Sequence, residues 1–139
     1  MTYLLDTCVL SEFSRKSPDI GVIHWIDSVP DIDLYICVIT LGEIQRGIEK
    51  LPESHRKTSL TTWMNEDLLQ RFSGRLVSID PDTMLIWGAM TAHLDAIGQP
   101  MNLMDSLIAS CALRQNMVLV TRNESDFQAS GIRLVNPWK

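Results

Sequence analysis

The sequence predicts an α/β domain, a three-layer sandwich with a mostly parallel central sheet flanked by helices. Three observations lead there. Short apolar runs, "YLLD", "LYICVI", "RLVSID" and "MVLVT", read as strands. Segments with helical apolar spacing separate them, and strands joined through helices pair in parallel with the helices covering the sheet. The chain has 139 residues, 45% of them hydrophobic, which suits one domain over residues 1–139 and leaves little room for two.

The elements follow in order. "YLLD" ends its apolar run at an acid, so Asp6 stands at the carboxyl edge of a strand, and "TCVLSEFSRK" then changes to a turn and a helical segment. Ser17, Pro18 and Asp19 have helix-start grammar, and Val22, Ile23 and Ile26, with Trp25 beside them, give an apolar face that stops at Pro30. Tyr35 to Ile39 reads as a buried strand, whereas Leu41, Ile44 and Ile48 recur at helical spacing. Thr40 is the N-cap candidate for that helix. Glu43 then falls at N3, where a capping box explains its carboxylate without any chemistry.

Beyond Pro52, Leu60, Trp63, Met64 and Leu68 suggest a helix, followed by a loop near Gly74 and the strand "RLVSID". Pro81 opens a helix carrying Leu85, Ile86, Ala89, Ala92 and Leu94, and "IGQP" ends it. "MDSLIASCALRQN" is the next helix, with Leu107, Ile108 and Cys111 as buried candidates. Asp105 lies near its start, where the helix dipole favours a carboxylate on structural grounds alone. "MVLVT" has the β-branched density of a central strand, "RNESDF" is a polar connection, and "GIRLVNPW" offers a short last strand.

The net charge of −5 gives no global attraction to phosphate, so a nucleic-acid partner requires a local basic patch. Cys8, Cys37 and Cys111 lack the paired spacing of a structural zinc site and read as reduced, mostly buried thiols. Neither a leader-like segment nor an apolar run of roughly 20 residues is present, so a cytoplasmic protein without membrane contact is the expectation.

In such a sheet the ligand crevice lies at the carboxyl ends of the strands. Four separate element ends can deliver Asp6, Glu43, Asp105 and Asp126 there, where like charges repel unless protons or a cation intervene. Oxygen ligands without a His or Cys cluster favour Mg²⁺ or Mn²⁺, and such an ion could support phosphodiester hydrolysis.

"LLDTCVLSE", "VITLGEIQRGIEKL", "MDSLIAS" and "LVTRNESDF", in that order, resemble the recurrent blocks of PIN-domain ribonucleases. The ending "NPW" is similar to the branch that holds VapC-like and FitB-like bacterial toxins. The resemblance spans nearly the whole chain. It implies a PIN-like fold and a Mg²⁺- or Mn²⁺-dependent endoribonuclease toxin held inactive by a cognate antitoxin. Asp6 and Asp105 would be direct metal ligands, Glu43 would ligate directly or through water, and Asp126 would be the acid of the last catalytic loop. Thr121 and Asn123 would shape that loop through their side chains, with Thr7 supporting the first. Asn123 stands where many PIN-like domains carry an acid, Cys8 where Asn is expected, and Ser106 where a small apolar residue is usual.

Arg15, Lys16, Arg46, Lys50, Arg114 and Arg122 are candidates for a phosphate-binding rim, against ordinary solvation as the alternative. Arg46 and Arg122 are preferred, as contacts for RNA or antitoxin, because each lies close in sequence to a proposed catalytic acid. Trp25, Ile44 and Ile48 are candidates for an antitoxin groove, or else for core or dimer surface, and Trp63 and Trp87 for helix packing. The resemblance also implies a homodimer, and an RNA substrate such as a structured tRNA, with the anticodon loop of initiator tRNA as one expectation. The competing reading is a catalytically silent partner in a toxin–antitoxin complex that reaches DNA only through the antitoxin.

Overall fold

The computed structural model describes residues 1–139. Its five-stranded sheet has the order β3-β2-β1-β4-β5, with β1 Tyr3–Leu5, β2 Leu34–Cys37, β3 Leu76–Val77, β4 Val118–Val120 and β5 Leu134–Val135. Every pairing is parallel. Leu5 registers with Val120, and Val120 with Val135, so the ends of β1 and β4 lie level at the centre of the sheet.

Successive strand residues point to opposite faces, and the core divides accordingly. Leu5, Ile36 and Val120 join one buried cluster with Val9, Ile26, Ile44 and Phe72. Their neighbours Leu4, Cys37 and Leu119 join the other, with Ile108, Ala112 and Phe127. The three layers are therefore written into the alternation of these short strands.

On the first face lie α1 (Thr7–Phe13), α2 (Ile20–Ser28) and α3 (Val38–Glu49). α2 starts where Asp19 accepts from the amides of Gly21 and Val22. Gly21 is required there, because a Cβ would stand 2.7 Å from the Pro137 carbonyl oxygen. The helix predicted after Pro52 is α4 (His55–Thr62), running through a π-helical turn at Trp63–Leu68 into α5 (Leu69–Arg71). On the second face, α6 (Pro81–Ala96) is capped by Asp80 with Pro81 in its first turn. α7 (Leu103–Gln115) is capped by Asn102 and closed by Asn116 in the left-handed region at φ 53°. Trp87 Nε1 donates to Ser106 Oγ at 2.9 Å, so Trp87 packs these helices as expected.

Several expectations are corrected. The second strand ends at Cys37, and α3 begins at Val38 with Cys37 as its N-cap residue, so Thr40 lies inside the first turn. Thr40 is fully buried and its hydroxyl meets Thr7, a tertiary contact that replaces the predicted capping box. "RLVSID" pairs only at Leu76–Val77, because Asp80 is drawn off to cap α6. The polar connection after β4 contains a short helix, α8 (Glu124–Phe127), anchored by the buried Phe127. Ile44 and Ile48 are buried core residues whose edges also border a cleft beside α3. No helix is long and apolar enough to cross a membrane.

Candidate functional site

The order of the strands reverses about β1, with β2 on one side and β4 on the other, which makes the ends of β1 and β4 the topological switch point. Asp6 follows β1 there. Its backbone amide continues the sheet by donating to the Val120 carbonyl at 2.9 Å, so the carboxylate leaves the sheet in a fixed direction. Asp6 Oδ1 accepts from the Thr7 amide at 2.8 Å, capping α1, and Oδ2 accepts from Thr121 Oγ1 at 2.8 Å. Asp6 is 5% exposed, and burial raises its pKa above the usual carboxylate range; those hydrogen bonds oppose the rise and the charge of Asp126 adds to it.

Thr7 connects this acid to the next. Its hydroxyl donates to Glu43 Oε1 at 2.6 Å and lies 3.4 Å from Thr40 Oγ1, which fixes Glu43 on the side of α3 that faces α1. Asp105 sits in the first turn of α7, set there by Asn102, whose Oδ1 accepts from the amides of Met104 and Asp105 at 3.0 and 3.4 Å. Asp126 lies in α8. Asp105 and Asp126 line one cleft of about 410 Å³, together with Asn102, Ser125 and Gln128.

The four predicted acids act on one another. Asp105 has its pKa raised to about 6, first by burial and then by the charges of Asp6, Asp126 and Glu43. They are not drawn into a closed ligand set: no group of three His, Cys, Asp or Glu side chains is packed closely enough to hold a metal ion. Their donor chemistry fits a hard divalent cation, since every candidate ligand is a carboxylate oxygen and a cation would relieve the repulsion that Asp105 records.

The supporting residues divide. Thr121 Oγ1 donates to Asp6 and accepts from the Asn123 amide at 3.0 Å, so Asn123 contributes its backbone and not the side-chain bond expected of it. Cys8 is closer to the site than packing alone implies, with Sγ 3.6 Å from Asp6 Oδ2 and accepting from the Arg122 amide at 3.5 Å. Burial, followed by the charge of Asp6, pushes its thiol pKa up, which keeps it protonated and able to donate.

Of the basic candidates, Arg46 and Lys50 line a cleft of about 730 Å³ with Glu43. Arg15 lines a second cleft, also bordered by Glu43, with Arg56. Arg122 stacks over Trp138, its guanidinium 5.6 Å from the ring centroid. Arg114 is corrected: it faces Asp80 and Asp82 at 3.5 and 3.4 Å, and so leaves the rim. Sequence reasoning missed Arg56, whose place depends on how α4 folds back toward α3. It also missed Asn102, although Asn one residue before an apolar helical run is a recognisable cap signal.

The matches to known proteins agree with this architecture. The family model of the PIN domain matches residues 3–130. The chain is 34% identical over 136 residues to the plasmid stability protein StbB of Pseudomonas syringae pv. tomato, covering 98% of each. It is 30% identical over 136 residues to VapC ribonuclease Y4jK of Sinorhizobium fredii, covering 98% of this chain and 97% of that one. Among solved structures, it superimposes on a chain of FitAB bound to an IR36 DNA fragment with a TM-score of 0.94 at 30% identity, covering 99% and 96%. The chain belongs to the PIN domain family. Within it, it is a close relative of the VapC- and FitB-type toxins of toxin–antitoxin pairs.

Proposed function

We propose that the chain, acting as one domain over residues 1–139, is a Mg²⁺-dependent endoribonuclease toxin, with Mn²⁺ as a second usable ion, that works in the cytoplasm. The observation that carries this reading is geometric: Glu43 is hydrogen-bonded to Thr7, next to Asp6 at the switch point, and Asp105 and Asp126 line one cleft. After burial, the charges of the other three acids push the Asp105 pKa up. Asp6, Asp105, Glu43 and Asp126 would hold the cation. When bound, it supplies charge stabilisation at the scissile phosphate and a more acidic water. Thr121 and Thr7 orient Asp6 and Glu43, as partners behind metal ligands generally do. Arg46, with Arg15 and Arg56, would take the flanking phosphates, giving an acidic protein the local basic border its substrate requires.

The partner in this reading is a cognate antitoxin. An apolar cleft of about 210 Å³ between α1, α2 and the π-helical turn, walled by Phe13, Ile26, Trp63 and Phe72, suits its hydrophobic segment. Leu85 and Leu103 on α6 and α7 are 73% and 56% exposed, and they support a homodimer through that face. The first substrate to test is tRNA, with the anticodon loop of initiator tRNA in the panel. Antitoxin-free chain incubated with RNA, with and without Mg²⁺ or Mn²⁺, should leave 5′-phosphate and 3′-hydroxyl ends, and Asp6→Asn should not. Wild-type cleavage that persists unchanged in chelator would refute the metal-dependent reading.

A second reading rests on the DNA-bound state of FitAB: a silent partner that strengthens operator binding by the antitoxin. Adding the chain to antitoxin and operator should then tighten binding, and no change would refute it.

A further inference from the structure

Outside the acidic site, the most chemically distinctive pair in the protein is Cys37 and Cys111. They are 74 positions apart in sequence, yet their sulfurs lie 3.1 Å apart, and neither side chain is exposed. Both are free thiols. Cys37 closes β2 and is the N-cap residue of α3; Cys111 lies in the middle of α7. Their wall is apolar, built from Leu4, Val77, Ile108 and Phe127, with no further ligand to make a metal site.

We propose that Cys37 and Cys111 form an oxidation site, in which hydrogen peroxide converts the dithiol to an internal disulfide that ties the start of α3 to α7. A disulfide holds its sulfurs at about 2.05 Å, so closure asks for a relative movement of roughly 1 Å. The two thiols are unequal, which gives each a role. Cys37 is held below the usual thiol range, chiefly by its hydrogen bond with Cys111, against an opposing rise from burial, with the amides of Ile39 and Thr40 at the start of α3 adding to the lowering. Cys111 is pushed up by the same bond and by burial. Cys37, the N-cap residue of α3, stands where the helix N-terminus favours a thiolate, and Cys111 lies mid-helix in α7, so Cys37 attacks and Cys111 resolves.

The steps balance. The Cys37 thiolate attacks one peroxide oxygen; the S–O bond forms, the O–O bond breaks, and hydroxide departs to take a proton and become water. Cys111 sulfur then displaces the hydroxyl from the Cys37 sulfenic acid, and its proton leaves with that hydroxyl as a second water. Two electrons pass from the dithiol to the peroxide. Because both sulfurs are buried, the reaction proceeds through local openings of the fold. Cys37 precedes Glu43 by six residues and Cys111 follows Asp105 by six, so the bond joins the two helices that carry those acids. The inference does not depend on the nuclease reading, and its test measures no cleavage.

The test treats the reduced full-length chain with hydrogen peroxide, quenches it, digests it without reductant and maps the peptides by mass. Expected are loss of two hydrogens, a denatured thiol count falling from three to one, a cross-linked peptide pair holding Cys37 and Cys111, and reversal by dithiothreitol. The oxidised chain should melt about 5–15 °C higher, as closing a long loop predicts. Cys8→Ser should form the same bridge, its thiol count falling from two to none, and Cys111→Ala should form no bridge and leave Cys37 as the sulfenic acid. Three surviving thiols, a bridge through Cys8, sulfinic acid on Cys37 without a bridge, or an unraised melting temperature would each overturn the proposal. The wild-type map needs no variant to fold.

Discussion

Thr121 Oγ1 donates a 2.8 Å hydrogen bond to Asp6 Oδ2, joining the residue after β4 to the residue after β1 across 115 positions of sequence. Both are buried at the point where the sheet order reverses, so the bond sets the direction of the Asp6 carboxylate. Thr121→Val keeps the shape and removes the donor. It should lower RNA cleavage about 10–100-fold, the range for lost partners behind metal ligands. Thr121→Ser should restore most of it. Single-turnover cleavage by the two variants decides the matter, and equal loss in both would point to packing.

Asp6→Asn and Asp105→Asn should each abolish most cleavage while leaving the circular-dichroism spectrum and the sedimentation of the chain unchanged. Metal binding followed by calorimetry should weaken in parallel. A folded Asp6→Asn variant that cuts at the wild-type rate would remove Asp6 from the proposed ligand set.

The pH dependence of the metal-free protein follows from Asp105. Its folded pKa of about 6 lies above the value of about 3.9 for an unfolded Asp. Between these the folded state binds more protons than the unfolded state, so stability falls as pH rises through the window. In chelator, the wild type should melt lower at pH 7.5 than at pH 5, and Asp105→Asn should flatten that difference. Urea or thermal melts at the two pH values test this; a variant with the wild-type slope would assign the effect elsewhere.

Arg46 and Arg114 give opposite expectations although both were candidates for the rim. Arg46 borders the Glu43 cleft, whereas Arg114 is turned toward Asp80 and Asp82. Arg46→Ala should weaken RNA binding and reduce the slope of log K against log salt by about 1. Arg114→Ala should leave both unchanged. Titrations at several salt concentrations separate the two.

Phe127 is fully buried and anchors α8, one residue after Asp126. Phe127→Ala should cost about 3–5 kcal/mol of stability. The mutant, assayed well below its melting temperature, should also lose cleavage, because the helix that carries Asp126 rests on that ring. Full activity in a destabilised variant would show that Asp126 needs no such support.

Much was legible in the sequence because it is local. The strands at Tyr3–Leu5 and Val118–Val120, the α6 start at Pro81 and the apolar faces of α2 and α3 follow from period and turn chemistry. Leu4 and Leu5 fall in different core clusters, as the two-residue period of a strand requires. The acids were chosen by their element ends and by the motif blocks around them. Thr40 shows where local grammar fails. A Thr three residues before a Glu satisfies the capping rule, yet burial beside Thr7 drew its hydroxyl into a contact between helices.

By itself, then, the sequence determined the alternation of strands and helices, the parallel class of the sheet, and which carboxylates stand at the ends of elements, since each depends on residues within a few positions of one another. Tertiary structure alone decided that Thr121 orients Asp6, that Thr7 holds Glu43, that Arg114 is spent on Asp80 and Asp82, and that Cys37 meets Cys111. Each of those is a contact over distances of sequence that no period spans, fixed only when parallel strands bring their carboxyl ends level and helices pack across them.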